Sequence, residues 1–387
     1  MIRWISGLLI INGLIWPTHA ETLQFYAWGG SPQVNQYLEW VSEQTQQQFD
    51  ITVNHVKLAD TSDAVSRVLA EKAAGNHSNG NVDLIWINGE NFAAMDKHGL
   101  LHKNWVSELA HFTLTNPTRN RNMTMDFGIP TNGQEAPWGK AAMVFYFNQR
   151  YLSRPPANAS ALLAFARQHP GRFAYPLPTD YLGISFIKYI ALTLSTIEKE
   201  QLYQPVTESA LDAVTVPLFD YLDKLHPYLW QQGEFFVRQA SRLQQLFADN
   251  SLLLSFSFTA AEIPAAVSRY DLPLSTRTYA MQDGSLSNVH FIGITYNSAH
   301  KSDAMKVVNF LLSPQAQAKK QRVSVWGDET VLDMTRLTQD QQKLFAVDNR
   351  HPSSLPPAGH HVLLAEPHTS WTDALRKAWF ARYGEHL

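Results

Sequence analysis

The chain has 387 residues, 31 Lys and Arg against 34 Asp and Glu, and no cysteine. A net charge of −3 offers no basic surface for nucleic acid or an anionic membrane, and without thiols there is neither a disulfide framework nor a Cys nucleophile. A hydrophobic content of 45% fits a globular chain, and the length exceeds what a single core organises, so two lobes are expected.

Arg3 precedes an apolar run from Trp4 to Trp16, and Thr18-His19-Ala20 puts small residues where a signal peptidase reads. That pattern predicts a signal peptide over 1–20, cleaved near Ala20, and export to the periplasm; the run is short for a membrane span.

Leu23, Phe25 and Ala27 alternate as in a strand. Gly29 and Gly30 are expected to supply backbone conformations that other residues resist. Ser31 is placed as an N-cap with Pro32 in the first helical position, and Val34, Tyr37, Leu38 and Val41 follow helical spacing. ITVNHVKL (51–58) reads as a second strand, followed by a helix carrying Val65, Val68 and Leu69. VDLIWIN (82–88) is almost continuously apolar, as in a strand buried on both faces, and Asn88-Gly89-Glu90-Asn91 leads into a helix around Phe92 and Met95. Such alternation implies βαβ units, with ligands beyond the carboxyl ends of the strands. Trp28–Ser31 and Asn88–Asn91 are therefore expected to face one crevice.

FGIPTNGQEAPWGK (127–140) reads as the crossing into a second lobe, and AMVFYFN (142–148) as a strand. A second α/β pattern runs to about Tyr270, with strands near RFAYP (172–176) and LLLSFSF (252–258) and a helix beginning at AAEIPAAV. TRTYAM (276–281) and NVHFIGITYN (288–297) carry the chain back. An amphipathic helix covers 303–321, bent or restarted at Pro314, and 348–367 is read as loop. The expected lobes are 21–130 with 286–387, and 131–285, each a mostly parallel sheet flanked by helices.

FYAWGGS (25–31), DLIWINGENFAAM (83–95), PTNGQEAPWG (130–139), NVHFIGITYN (288–297) and FLLSPQAQ (310–317) occur in that order. The chain thereby resembles the periplasmic solute-binding proteins of bacterial ABC importers. VKLADTSDAVSRVLAEKAAGN (56–76) and VWGDETVLDMTRL (325–337) narrow the likeness to the YnjB type. The resemblance implies an α/β, two-lobed periplasmic-binding-protein architecture of type II-like form. It also implies a monomer that closes on a solute without cofactor or catalysis, then docks on an inner-membrane permease driven by a cytoplasmic ATPase. It brings no binding residues with it.

Those residues come from the loops expected between the lobes. Trp28, Gly29, Gly30, Ser31, Asn88, Glu90, Asn91, Glu135, Trp138, Asp180, Tyr181, Phe258, Glu262 and Trp326 are the candidates, with Asp328 beside the last. Aromatic faces attract cations and carboxylates give charge-assisted hydrogen bonds. Together they suit a small organic cation or nitrogen heterocycle, such as a thiamine-related compound. Each has a structural alternative: loop Trp as packing, Glu90 and Glu262 as helix-dipole partners, Asp180 as a turn residue. An oxyanion held by Gly29–Ser31 at a helix N-terminus is the competing ligand. His351, His360, His361 and His368 raise metal, without a zinc spacing. A hydrolase using Glu90 and Glu135 is the enzymatic alternative, although no G-x-S-x-G, H-E-x-x-H or phosphate-loop motif is present. A sensor domain would use the same clamp.

Overall fold

The computed structural model describes residues 21–346, 351–356 and 362–384, so the expected signal peptide lies outside them. Among the described residues the strands form two main sheets and one two-stranded hairpin, with helices between them.

The first sheet begins as expected. β1 (Glu21–Trp28) pairs in parallel with β2 (Ile51–Leu58) and β3 (Leu84–Ile87). The helix Pro32–Phe49 covers it, burying Val34, Tyr37, Leu38 and Val41 at the spacing the sequence sets out. β4 (Met125–Asp126) and β5 (Ile129–Pro130) form a small hairpin before the crossing strand β6 (Glu135–Ala142). Only Met143 separates β6 from β7 (Val144–Asn148), which enters the second sheet.

That second sheet has the order β8–β7–β9, with β8 at Leu254–Ser257 and β9 at Thr276–Tyr279. Both pairings are antiparallel, where the sequence alternation predicts parallel ones. The crossing explains this. β7 carries the chain outward and β9 carries it back beside it, so the two run in opposite directions. Expected strand 172–176 is reduced to an isolated bridge between Pro176 and Val237.

β10 (Ser285–Ile294) returns to the first sheet and is its most connected strand. It runs antiparallel to β6 along one edge and to β3 along the other, and its first three residues pair in parallel with β11 (Leu363–Ala365). The register slips at His290/Phe291, a bulge that re-aims side chains along the strand. β11 falls inside the stretch expected to be loop.

The amphipathic stretch 303–321 is two helices, Lys301–Leu311 and Pro314–Gln321. Ser313 caps the second through its hydroxyl oxygen, which accepts from the Ala316 N–H, and Pro314 takes the first helical position. The final helix, Ser370–Tyr383, packs Trp371, Leu375 and Trp379 into the hydrophobic cluster around the second sheet, although the sequence reading places the tail with the first. Among the described residues, no helix is long and apolar enough to cross a membrane.

Candidate functional site

β1 ends at Trp28, and the turn that follows is held down on both sides. The Gly29 N–H donates to Leu58 O at 3.0 Å, and Asn35 Nδ2 donates to Gly29 O at 3.2 Å. Neither Gly29 nor Gly30 adopts a positive φ, so backbone freedom is not what the glycines provide. They provide room. A Cβ on Gly29 would lie 2.5 Å from Lys57 Cβ, and one on Gly30 would lie 2.6 Å from Trp28 Cζ2. The Trp28 ring therefore folds over Gly30 while remaining 43% exposed. Ser31 precedes the Pro32–Phe49 helix but does not cap it; its hydroxyl donates to Gln33 Oε1 at 2.9 Å.

Opposite this turn stands the helix Glu262–Ser268, which follows β8. A cavity of about 220 Å³ lies between them. Trp28, Gly30, Ser31 and Pro32 line one wall; Thr259, Glu262, Ala265 and Arg269 line the other, with Trp326 beside them. The two walls come from different sheets. They approach closely at Gly327, where a Cβ would fall 2.0 Å from Ala261 Cβ, and whose φ of +83° a side chain would resist.

Glu262 accepts a hydrogen bond from the Ser257 hydroxyl at 2.5 Å. Protein crowding around the carboxyl pushes its pKa up, against the opposing pull of that hydrogen bond and of Arg269, even though the side chain stays exposed. Trp326 is largely buried and joins an aromatic cluster, with ring centroids 5.7 Å from Tyr37, 5.6 Å from Trp86 and 5.3 Å from Trp138.

A second group of candidates does not line this cavity, although Tyr181 among them is as exposed as Trp28. The Tyr181 ring meets Phe258 at 5.0 Å, and its hydroxyl accepts from Asn288 Nδ2 at 2.6 Å while facing Glu366 Oε1 at 3.4 Å. Lys188 Nζ reaches Glu366 Oε2 at 2.7 Å with both side chains buried. Asp126, whose carboxylate accepts the Gly89 N–H at 2.6 Å, lines a further cavity of about 440 Å³ with Asn288 and Glu366. Burial raises the pKa of Asp126, Glu135 and Glu366; the Gly89 N–H at Asp126 and Lys188 at Glu366 oppose the rise, and neighbouring carboxylates add to it.

Not every sequence candidate reaches a cavity. Trp138 and Glu135 are fully buried behind it. Trp138 fills the core between Phe25 and Trp86, and Glu135 keeps both carboxyl oxygens without a hydrogen-bond partner. Asp180 caps the Tyr181–Leu194 helix by accepting from the Leu182 N–H, and accepts from Ala240 N as well. Asn88 lies in the turn before the helix Glu90–Lys97 and Asn91 in that helix's first turn, with Asn91 N donating to Asn88 O. Glu90 lies 3.6 Å from Arg376. Asp328 is buried with His290 and Lys320; burial works to raise its carboxyl, but His290 and Lys320 together hold it below the ordinary value. His351 and His368 each accept a nearby backbone N–H through Nδ1, while His360 and His361 lie outside the described residues. Among the described residues no group of three or more potential ligands is placed to hold a metal.

Sequence reasoning missed Arg269, Lys188, Asp126 and Glu366. Lys188 carried a signal, a lone charge in an apolar helix. The others depend on contacts between distant segments.

A profile of bacterial extracellular solute-binding proteins matches residues 39–327. Protein YnjB of Escherichia coli (strain K12) is 37% identical over 398 aligned positions covering 99% of each chain. Solved structures with the same fold include a periplasmic thiamin binding protein, at 16% identity and a TM-score of 0.58, covering 98% of this chain and 99% of that one. A putative spermidine/putrescine ABC transporter from Listeria monocytogenes aligns at 14% identity and a TM-score of 0.60, covering 95% of this chain and 100% of that one.

Proposed function

The chain belongs to the bacterial extracellular solute-binding proteins, and from that premise we propose that it captures a small solute bearing a cationic nitrogen, in the cavity between Trp28, Trp326 and Glu262. One observation carries the reading: an exposed indole and a carboxylate, from opposite walls, line one cavity. A cation over an aromatic face gains about 0.5–2 kcal/mol, and an ionised Glu262 adds a charge-assisted hydrogen bond. At about 220 Å³ the cavity is smaller than the roughly 300–1,000 Å³ of drug-sized sites, so the solute is small.

The function follows from where the walls come from. Residues 21–142 with the strand that begins at Ser285 form one lobe in this reading, and 143–284 with the Ser370–Tyr383 helix form the other. A solute touching both lobes favours the closed form through its differential affinity. The closed form then docks on a membrane permease whose ATPase works in the cytoplasm. In this reading residues 1–20 direct export to the periplasm and are then removed. The thiamin and spermidine/putrescine proteins that share the fold handle nitrogen cations by name, which is consistent with this class of solute. Binding without turnover is the expected behaviour; conversion of a solute by pure protein would restore the enzyme reading.

An oxyanion is the second reading, favoured by Arg269 and by the uncapped start of the Pro32–Phe49 helix on the same cavity. Thermal unfolding against thiamine, its pyrimidine precursors, polyamines, sulfate and thiosulfate separates the two. A solute at about 100 times its Kd adds roughly 2.7 kcal/mol, a shift on the order of 5–10 °C. Trp28→Ala and Glu262→Gln are each expected to weaken a nitrogen cation about ten-fold. A shift confined to sulfate or thiosulfate, or unchanged affinity in both variants, rejects the cation.

A further inference from the structure

The cavity carries a charge pattern that a simple cation does not use. Glu262, Ala265 and Arg269 all line it. They stand at positions i, i+3 and i+7 of the Glu262–Ser268 helix and its C-cap, which places them in one stripe down a single face. The acid heads the stripe, the base ends it, and the small Ala265 leaves the space between them open. Glu262 and Arg269 form no ion pair with one another: Arg269 pairs through Nε with Asp271 at 2.9 Å, which leaves its two terminal nitrogens to a ligand, and Glu262 accepts from Ser257. At 1.5 Å of rise per residue their Cα atoms are about 10 Å apart along the helix.

We propose that the solute is a zwitterion whose ammonium and carboxylate groups are several bonds apart, spanning Glu262 to Arg269. This rests on the cation reading and narrows it. The ammonium end lies at Glu262, within reach of the Trp28 and Trp326 faces. The acid end meets the Arg269 guanidinium, whose planar fork matches a carboxylate. The linker crosses Ala265. An α-amino acid carries both charges on one carbon and is too short to engage both ends of the stripe. A diamine places a second ammonium against Arg269, which repels it.

Isothermal titration of the protein lacking residues 1–20 with a matched series tests this. The series holds 6-aminohexanoate, hexylamine, hexanoate, 1,5-diaminopentane and alanine. The amino acid with separated charges is expected to bind at least ten-fold tighter than hexylamine, hexanoate or alanine, and tighter still than the diamine. Arg269→Gln is expected to reduce it to the affinity of hexylamine, with Arg269→Lys recovering part of the loss, and Glu262→Gln to reduce it to that of hexanoate. Unfolding temperatures of the free variants establish that each is folded. If hexylamine or the diamine binds as tightly as 6-aminohexanoate, or if Arg269→Gln changes nothing, the zwitterion is overturned while the cation reading stands. If hexanoate alone binds, both are overturned.

Discussion

Glu135 is fully buried, and neither of its carboxyl oxygens has a hydrogen-bond partner. An ionised carboxylate there is costly, so the folded protein holds the proton: burial, then Asp126 and Asp96, raise its pKa well above 4.5. A group whose folded pKa is raised makes stability fall as pH climbs through and above its unfolded value near 4.3. The slope reaches about 1.4 kcal/mol per pH unit while the folded state alone keeps the proton. Glu135→Gln removes that contribution. Its unfolding temperature is expected to fall less than the parent's between pH 5 and pH 8, and the other raised carboxyls, Asp126, Glu262 and Glu366, contribute to the slope that remains. The residue scale is also where the sequence was least legible. A Glu two residues after a Gly in a turn-rich stretch has the same local signature whether it faces a solute or a core, and Trp138 three positions on has the same ambiguity. Trp28 differs because a strand end and a helix start fix its place from either side. Gly29 and Gly30 were legible as a turn but not for their reason, since Lys57 and the folded-back Trp28 ring belong to three-dimensional contacts.

The elements that repeat a strand, a Gly-containing turn and a helix were readable from periodicity alone, as at Trp28–Ser31 and Asn88–Asn91. The restart at Pro314 was readable because proline and a serine cap have local rules. The antiparallel second sheet was not, because strand direction is set by where the chain crosses back. The closing helix, Ser370–Tyr383, hid behind a Pro- and His-rich stretch, although Trp371, Leu375 and Trp379 recur every four residues. It is an integral part of the core: Trp379 is fully buried, and its Nε1 donates to Tyr175 Oη at 3.0 Å. Trp379→Ala is expected to cost about 3–5 kcal/mol, read as a lower denaturant midpoint with the slope unchanged.

At the scale of the whole molecule the tail ties the two sheets together. β11 pairs with β10 in the first sheet, the helix after it packs around the second, and between them Glu366 meets Lys188 on the Tyr181–Leu194 helix. Phe127 O accepts from Thr369 N, and Arg376 lies 3.6 Å from Glu90, adding two further links. These partners are far apart in sequence, which is why no local pattern announced them. A buried ion pair broken from one side leaves an uncompensated charge. Lys188→Met is therefore expected to lower stability by about 3–5 kcal/mol, and Lys188→Met with Glu366→Leu to regain much of it; thermal unfolding of the two variants checks both. Trp28 gives the molecule one more property. Every other described tryptophan is partly or wholly covered, and Trp28 alone is exposed, on the wall of the cavity. Dissolved quenchers of indole emission will therefore reach Trp28 first, and a solute resting on that ring will shield it. The protein thus contains its own optical gauge of occupancy, with no dye or label attached.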